Sequence, residues 1–202
     1  MKINGKQWRT IWLQNNGDSI GVIDQRKLPH NLSIHTISTH EEAAAAIQNM
    51  VVRGAPLIGV TAAYGLMLAL QKDPSNESLE RAYSKLLSTR PTAINLIWGL
   101  KRVKNLVKKL PNEQRAKAAK KEAQKIADED VFTCEAIGEH GLKVLKQVSN
   151  CKDFEKKKDP LNVLTHCNAG WLATVDWGTA MAPIYKAHRD GMRIHVWVDE
   201  TR

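Results

Sequence analysis

At 202 residues, 43% hydrophobic and 25% charged, the chain has globular composition and the length of one domain, or of one domain and part of another. No segment approaches the roughly 18 apolar residues of a membrane span, and "MKINGKQWRTIW" has neither a long apolar stretch nor a small-residue cleavage site, so a soluble, cytoplasmic protein is expected. Of the net charge of +9, +7 falls between Lys101 and Lys158, where sixteen Lys and Arg face nine Asp and Glu. These are mostly lysines interleaved with alanine and glutamate and with few aromatics for base stacking, which points to a solvated helix face and away from nucleic acid.

The elements follow in chain order. "RTIWLQNNGDSIGVID" reads as two short strands around an Asn-Asn-Gly-Asp turn. "TISTHEEAAAAIQNMVVRGAP" opens a helix in which Thr39 caps the amides and Glu42 completes a capping box, with Gly54 and Pro56 punctuating its end. "LIGVTAAYGLMLALQ" is a nearly all-apolar, buried helix. "SNESLERAYSKLLSTRP" is another, stopped by Pro91. From Thr92 onward, Ala93, Leu96, Leu100, Val103, Val107 and Leu110 recur at helical spacing, and Asn95 and Trp98 are expected to hold that helix in place. Beyond Pro111, the stripe Ala116, Ala119, Ala123, Ile126, Cys134, Ile137, Gly141 and Val144 marks one long helix or two stacked ones.

Residues 1–150 therefore read as a mainly helical domain with a small β element. "CKDFEKKKDP", residues 151–160, reads as a linker. Residues 161–202 read as one strand-helix-strand unit of parallel type, "LNVLTH" and "IHVWVDE" flanking a helix from Thr179 to Arg189 with Pro183 in its first turn and Gly191 as its stop. The fold class is α/β overall. Two parallel strands make an unfinished sheet, so this second domain reads as truncated.

Cys134, Cys151 and Cys167 are odd in number and contain no C-x-x-C pair, which argues against a disulfide framework or a zinc site. Cys167 sits between His166 and Asn168 in "VLTHCNAGWLATVDWGTA". It is either a small buried hydrophobe or a strand-end side chain in the crevice where open α/β sheets hold ligands. Arg53, Gly54 and Ala55 combine a glycine turn that exposes amides with a forked charge for an anion; a surface arginine beside a capping glycine is the alternative. Arg90 is, taken by itself, a basic residue at a helix terminus.

"DQRKLPH", "MVVRGAPLIGVTAAYG", "TRPTAINLIWGL", "AIGEHG", "THCNAG" and "VDETR" occur in the order and approximate spacing of the methylthioribose-1-phosphate isomerases, and from about Ile11 to Arg202 the chain resembles that family. The family shares a superfamily with ribose-1,5-bisphosphate isomerases and with regulatory subunits of a translation-initiation exchange factor. The resemblance implies a helical N-terminal domain with a small sheet, a Rossmann-like C-terminal domain, a homodimer, and a sugar phosphate bound between the domains. It implies conversion of an aldose 1-phosphate into the matching ketose 1-phosphate in methionine salvage, with no metal or organic cofactor. Residue by residue, Cys167 matches the active-site cysteine, and Arg53, Gly54, Ala55 and Arg90 match substrate-binding positions.

The anomeric oxygen of such a substrate carries phosphate, so the ring oxygen must be protonated before the chain can isomerise, and an acid is needed beside the thiol. The resemblance assigns that acid to an aspartate outside these 202 residues. Residues 1–202 alone are therefore expected to turn over little or no substrate. The chain departs from the family at "CNAGWLATVDWGTAMAPIY", where small residues are common elsewhere. Trp171, Asp176, Trp177 and Pro183 either reshape the pocket for the substituent on the sugar's fifth carbon, toward a 5-deoxyribose for example, or repack a local core. A ribose-1,5-bisphosphate isomerase and a non-catalytic interaction protein are the other readings.

Overall fold

A computed structural model describes residues 1–151 and 160–199, apart from the side chains of Asn16 and Cys151. The chain opens with a minimal hairpin, β1 (Lys2–Ile3) against β2 (Lys6–Gln7). The expected hairpin follows as β3 (Ile11–Gln14) and β4 (Ser19–Ile23), with the turn formed by a 3-10 segment at Asn15–Gly17. A further strand, β5 (Ile34–Ile37), pairs with the free edge of β4, which makes the sheet order β3-β4-β5. All of β4 is buried, whereas only Ile37 of β5 is.

Helix α1 (His40–Gln48) is capped as its sequence predicts: Thr39 Oγ1 accepts the Glu42 amide at 3.1 Å. The Glu42 carboxylate reaches one residue further back than a standard capping box, accepting the Ser38 amide at 2.6 Å. The helix ends six residues before Gly54, because Met50 turns into the left-handed region at φ 56°. Gly54 and Pro56 do not close α1. They open α2 (Ala55–Lys72), with Gly54 as N-cap and the proline in the first turn, where a missing amide costs nothing.

Every residue of α2 from Leu57 to Leu70 is buried. Around it pack α1, α3 (Asn76–Leu87), α4 (Ile94–Val107) and α5 (Asn112–Cys151). Each fully buried Leu, Ile or Val in this cluster contributes about 1.5–3 kcal/mol, so α2 is the axis on which the bundle stands. Trp98 is 48% exposed and carries the Arg102 guanidinium 5.3 Å from its ring centroid. It does not anchor α4; the buried face made by Leu96, Leu100, Val103 and Val107 does.

The stripe beyond Pro111 forms one continuous helix of forty residues, about 60 Å long. Its expected inner face holds through Ala119, Ala123, Ile126 and Cys134, but Ile137 and Val144 point to solvent. There, α6 (Ala182–Arg189) packs on α5. The approach is close: a Cβ on Gly141 would lie 2.3 Å from Pro183 Cγ. Several basic side chains of this region are engaged with acids. Lys104 meets Glu80 at 2.6 Å, Arg102 is held by Glu122 and Glu129, and Lys186 meets Glu139 at 2.5 Å.

Strands β6 (Leu161–Thr165) and β7 (Ile194–Val198) pair in parallel, with α6 as the crossover. Thr179 does not cap α6. Its amide donates to the Ala169 carbonyl at 3.0 Å, and the helix starts three residues later. Pro183 still falls in the first turn. Most of the expected linker, residues 152–159, lies outside the described residues, as does the end of "VDETR". No helix among the described residues is long and apolar enough to cross a membrane.

Candidate functional site

All five residues singled out from the sequence, Arg53, Gly54, Ala55, Arg90 and Cys167, line one open cavity of about 860 Å³. They arrive from three places. Arg53 to Ala55 come from the junction of α1 and α2, where Val51 and Val52 are buried and leave Arg53 half-exposed beside them. Arg90 stands in the turn between α3 and α4, a turn closed by the Ala93 amide donating to the Arg90 carbonyl at 3.0 Å. Cys167 follows the carboxyl end of β6, the side of a parallel sheet on which ligands bind.

Gly54 holds φ 106°, and a Cβ there would lie 2.3 Å from Ala173 Cα. Its glycine identity thus serves both the turn into α2 and close contact with the short turn Trp171–Ala173. Ala55 begins α2, so the helix presents its positive end to the cavity. Two arginines line the cavity, and among the described residues no carboxylate does. That imbalance suits an anion, and phosphate above all.

Cys167 is exposed and occupies the left-handed region at φ 67°, a conformation that non-glycine residues rarely adopt and that clusters at functional sites. Of the two readings of this thiol, the structure selects the strand-end one. Beside it, His166 Nδ1 lies 2.7 Å from Asp199 Oδ2, and the Asp199 amide donates to the Thr165 carbonyl at 2.9 Å, joining the ends of β6 and β7. Cys134 is the contrasting case. It is 2% exposed, and burial with the nearby Asp130 pushes its thiol up to about 12.

Asn168, Met50, Ile58, Ala93, Leu172 and Val198 complete the lining. Asn168 sits inside the "THCNAG" block and could have been proposed from it; the apolar members carry no local signal because five separate segments supply them. Trp171, Asp176 and Trp177 do not line this cavity. Asp176 is buried and binds the Met1 amino group at 2.5 Å and Gln7 Nε2 at 2.9 Å. Trp177 lies under Lys186 and Arg189, at 4.3 and 4.5 Å from its ring centroid. Asp176 and Trp177 thus contact the N-terminal residues and α6, away from this cavity.

Asp130 was not apparent from the sequence, being embedded in the charged run "ADEDV". Its carboxylate accepts the Val175 amide at 2.7 Å, and burial pushes it up to about 6. It faces a different cavity, of about 450 Å³, together with Cys134 and Trp98. Among the described residues no group of three or more His, Cys, Asp or Glu is placed to hold a metal ion.

Fold and cavity together define an α/β protein in which a helical bundle and a parallel strand-helix-strand unit enclose a cationic, thiol-bearing cleft. The chain belongs to the Initiation factor 2 subunit family, whose pattern matches residues 51–202. Over its whole length it is similar to the methylthioribose-1-phosphate isomerases of Methylobacterium nodulans (56% identical, 54% of that protein covered) and Escherichia coli O45:K1 (51% identical, 54% covered). It thus spans about half the length of the curated relatives it matches.

Among solved structures, 5-methylthioribose 1-phosphate isomerase from Pyrococcus horikoshii superposes with a TM-score of 0.82 at 41% identity, covering 98% of this chain and 54% of that one. The translation initiation factor eIF-2B subunit delta from A. fulgidus superposes with a TM-score of 0.79 at 38% identity, covering 97% and 55%.

Proposed function

We propose that this chain forms the sugar-phosphate-binding half of an aldose-ketose isomerase that converts 5-methylthioribose 1-phosphate into 5-methylthioribulose 1-phosphate. The observation that carries the reading is the composition of the 860 Å³ cavity: Arg53, Arg90, Cys167 and Asn168 with no described carboxylate, beside an apolar group of Met50, Ile58 and Val198. The guanidinium forks hold the phosphate dianion, aided by the amides at the start of α2. Cys167, at the open strand end, moves the proton between the second and first carbons once the ring has opened. The apolar residues favour a sugar without a second phosphate.

The likeness to an isomerase and to a translation-factor subunit is almost equal in TM-score, so overall fold does not choose between catalysis and a purely interacting role. The cavity lining supports catalysis. We further propose a helical domain of residues 1–150, a connection at 151–160 and the opening unit of a Rossmann-like domain at 161–202, in a cytoplasmic homodimer. The ring-opening acid is then supplied from outside residues 1–202.

Phosphorus NMR tests this on the product of the complete reading frame, given 5-methylthioribose 1-phosphate. A ketose 1-phosphate resonance is expected to grow with time, and to grow at least about 100-fold more slowly with Cys167→Ser. Absence of the ketose with the wild-type protein refutes the reading.

A further inference from the structure

Asp130 lies on the inner stripe of α5, between Ile126 and Cys134, where helical spacing calls for an apolar side chain. A carboxylate there gives up hydration and needs a donor. Its donor is the Val175 amide at 2.7 Å, which belongs to the loop that follows Cys167. We propose that Asp130 is a positioning residue for catalysis: through Val175 it holds the Cys167 loop in place relative to Arg53 and Arg90. This rests on the isomerase reading above.

The Val175 peptide is gripped from both sides. Its carbonyl accepts the Thr10 amide at 3.0 Å, and Thr10 Oγ1 donates to the neighbouring Thr174 carbonyl at 2.5 Å. Thr10, Thr174 and Val175 are all fully buried. The apex of the loop is thereby fastened to α5 on one side and to the residue before β3 on the other.

Inside the loop, further bonds carry that position back to the thiol. Thr174 Oγ1 accepts the Gly178 amide at 3.0 Å, and the Thr179 amide donates to the Ala169 carbonyl at 3.0 Å, two residues from Cys167. The two legs of the loop touch through bare backbone, since a Cβ on Gly178 would lie 2.5 Å from the Gly170 carbonyl carbon. Residues 169–179 therefore move as one body. Asp130 does not line the 860 Å³ cavity, so it acts on the reaction through this loop.

Arg53 and Arg90 stand on the α1-α2 junction and the α3-α4 turn, outside the loop. Phosphate is thus held by the bundle and the thiol by the loop. Loosening the Asp130 bond leaves the phosphate contacts alone and lets the thiol drift from the carbons it serves. Proton transfer needs heavy atoms within about 2.6–3.2 Å, and a misplacement of about 1 Å can cost roughly 100-fold. The loss belongs to kcat, not to KM.

The test measures kcat and KM on 5-methylthioribose 1-phosphate with the complete protein, per folded molecule and well below the melting transition. Asp130→Leu orphans the Val175 amide and is expected to lower kcat by about tenfold or more with KM within about threefold. Asp130→Asn, whose side-chain carbonyl still accepts that amide, should stay within about threefold of wild type in both. Thr10→Val loosens the loop apex from its other side and should lower kcat by about threefold at unchanged KM, a readout that survives even where Asp130→Leu does not fold. Val107→Ala, buried at the far end of α4, controls for stability alone and should leave kcat unchanged. The proposal is overturned if Asp130→Leu or Thr10→Val keeps full kcat, if Asp130→Asn is as impaired as Asp130→Leu, or if Val107→Ala loses as much. If wild type turns over no substrate, the isomerase reading falls and this inference falls with it.

Discussion

Gly54→Ala measures how tightly the α2 start is built into the cleft. At φ 106° and ψ 133°, the backbone is where a residue with a side chain is strained by about 1–3 kcal/mol. The new Cβ would also lie 2.3 Å from Ala173 Cα and 2.5 Å from its carbonyl oxygen, and these are backbone atoms that cannot rotate aside. Relieving such overpacking costs a further 1–3 kcal/mol or so. The sum, about 2–6 kcal/mol, is a large share of the roughly 5–15 kcal/mol that holds a domain folded. Gly191→Ala supplies the control, since that glycine has φ 82° with nothing within 4 Å of the added Cβ. At about 2–4 °C per kcal/mol for a chain of this size, calorimetry should find Gly54→Ala melting several degrees below Gly191→Ala. Equal melting temperatures would show that the contact with Ala173 is absent.

Asp130 makes stability depend on pH. Its carboxyl is pushed up to about 6 by burial, so between roughly pH 4 and 6 the folded chain holds a proton that the unfolded chain has released, and stability falls as pH rises through that window. Asp130→Asn keeps an acceptor for the Val175 amide and should gain on wild type by as much as about 3 kcal/mol from pH 4 to pH 7 in urea denaturation; parallel curves would refute this. Iodoacetamide followed by peptide mass analysis should alkylate the exposed Cys167 at least about tenfold faster than Cys134, whose thiol is buried and pushed up by that burial. The reverse order would contradict the exposed strand-end placement. Arg90→Ala should raise KM for the phosphorylated sugar by roughly tenfold or more, with Arg90→Lys between the two because a single ammonium cannot fork; unchanged KM in both would remove Arg90 from the site.

Periodicity and punctuation disclosed most of the fold. The capped start of α1, the buried run of α2 and the parallel β6-α6-β7 unit are local patterns that tertiary contacts reinforce. The failures have physical causes. Nothing in "NMVVRG" announces that Met50 turns left-handed, so α1 seemed to run on to Gly54. β5 buries only Ile37, so its alternation is too weak to read. Thr179 is a good capping residue, but its hydroxyl is turned to the Ala169 carbonyl and away from the α6 amides. At the site, the residues with distinctive chemistry were legible, and the greasy remainder of the cavity was not, since Met50, Ile58 and Val198 become neighbours only through the fold.

The contact between Gly141 and Pro183 works as a gauge block. A missing methyl group sets the clearance between α5 and α6, and α6 lies on the same loop system that carries Cys167, whereas Arg53 and Arg90 belong to the bundle that α5 braces. The thiol and the two guanidiniums are therefore aligned by a shim well outside the cleft. Thickening it by one carbon would tilt one wall of the cavity against the other while leaving every residue that faces the ligand unchanged.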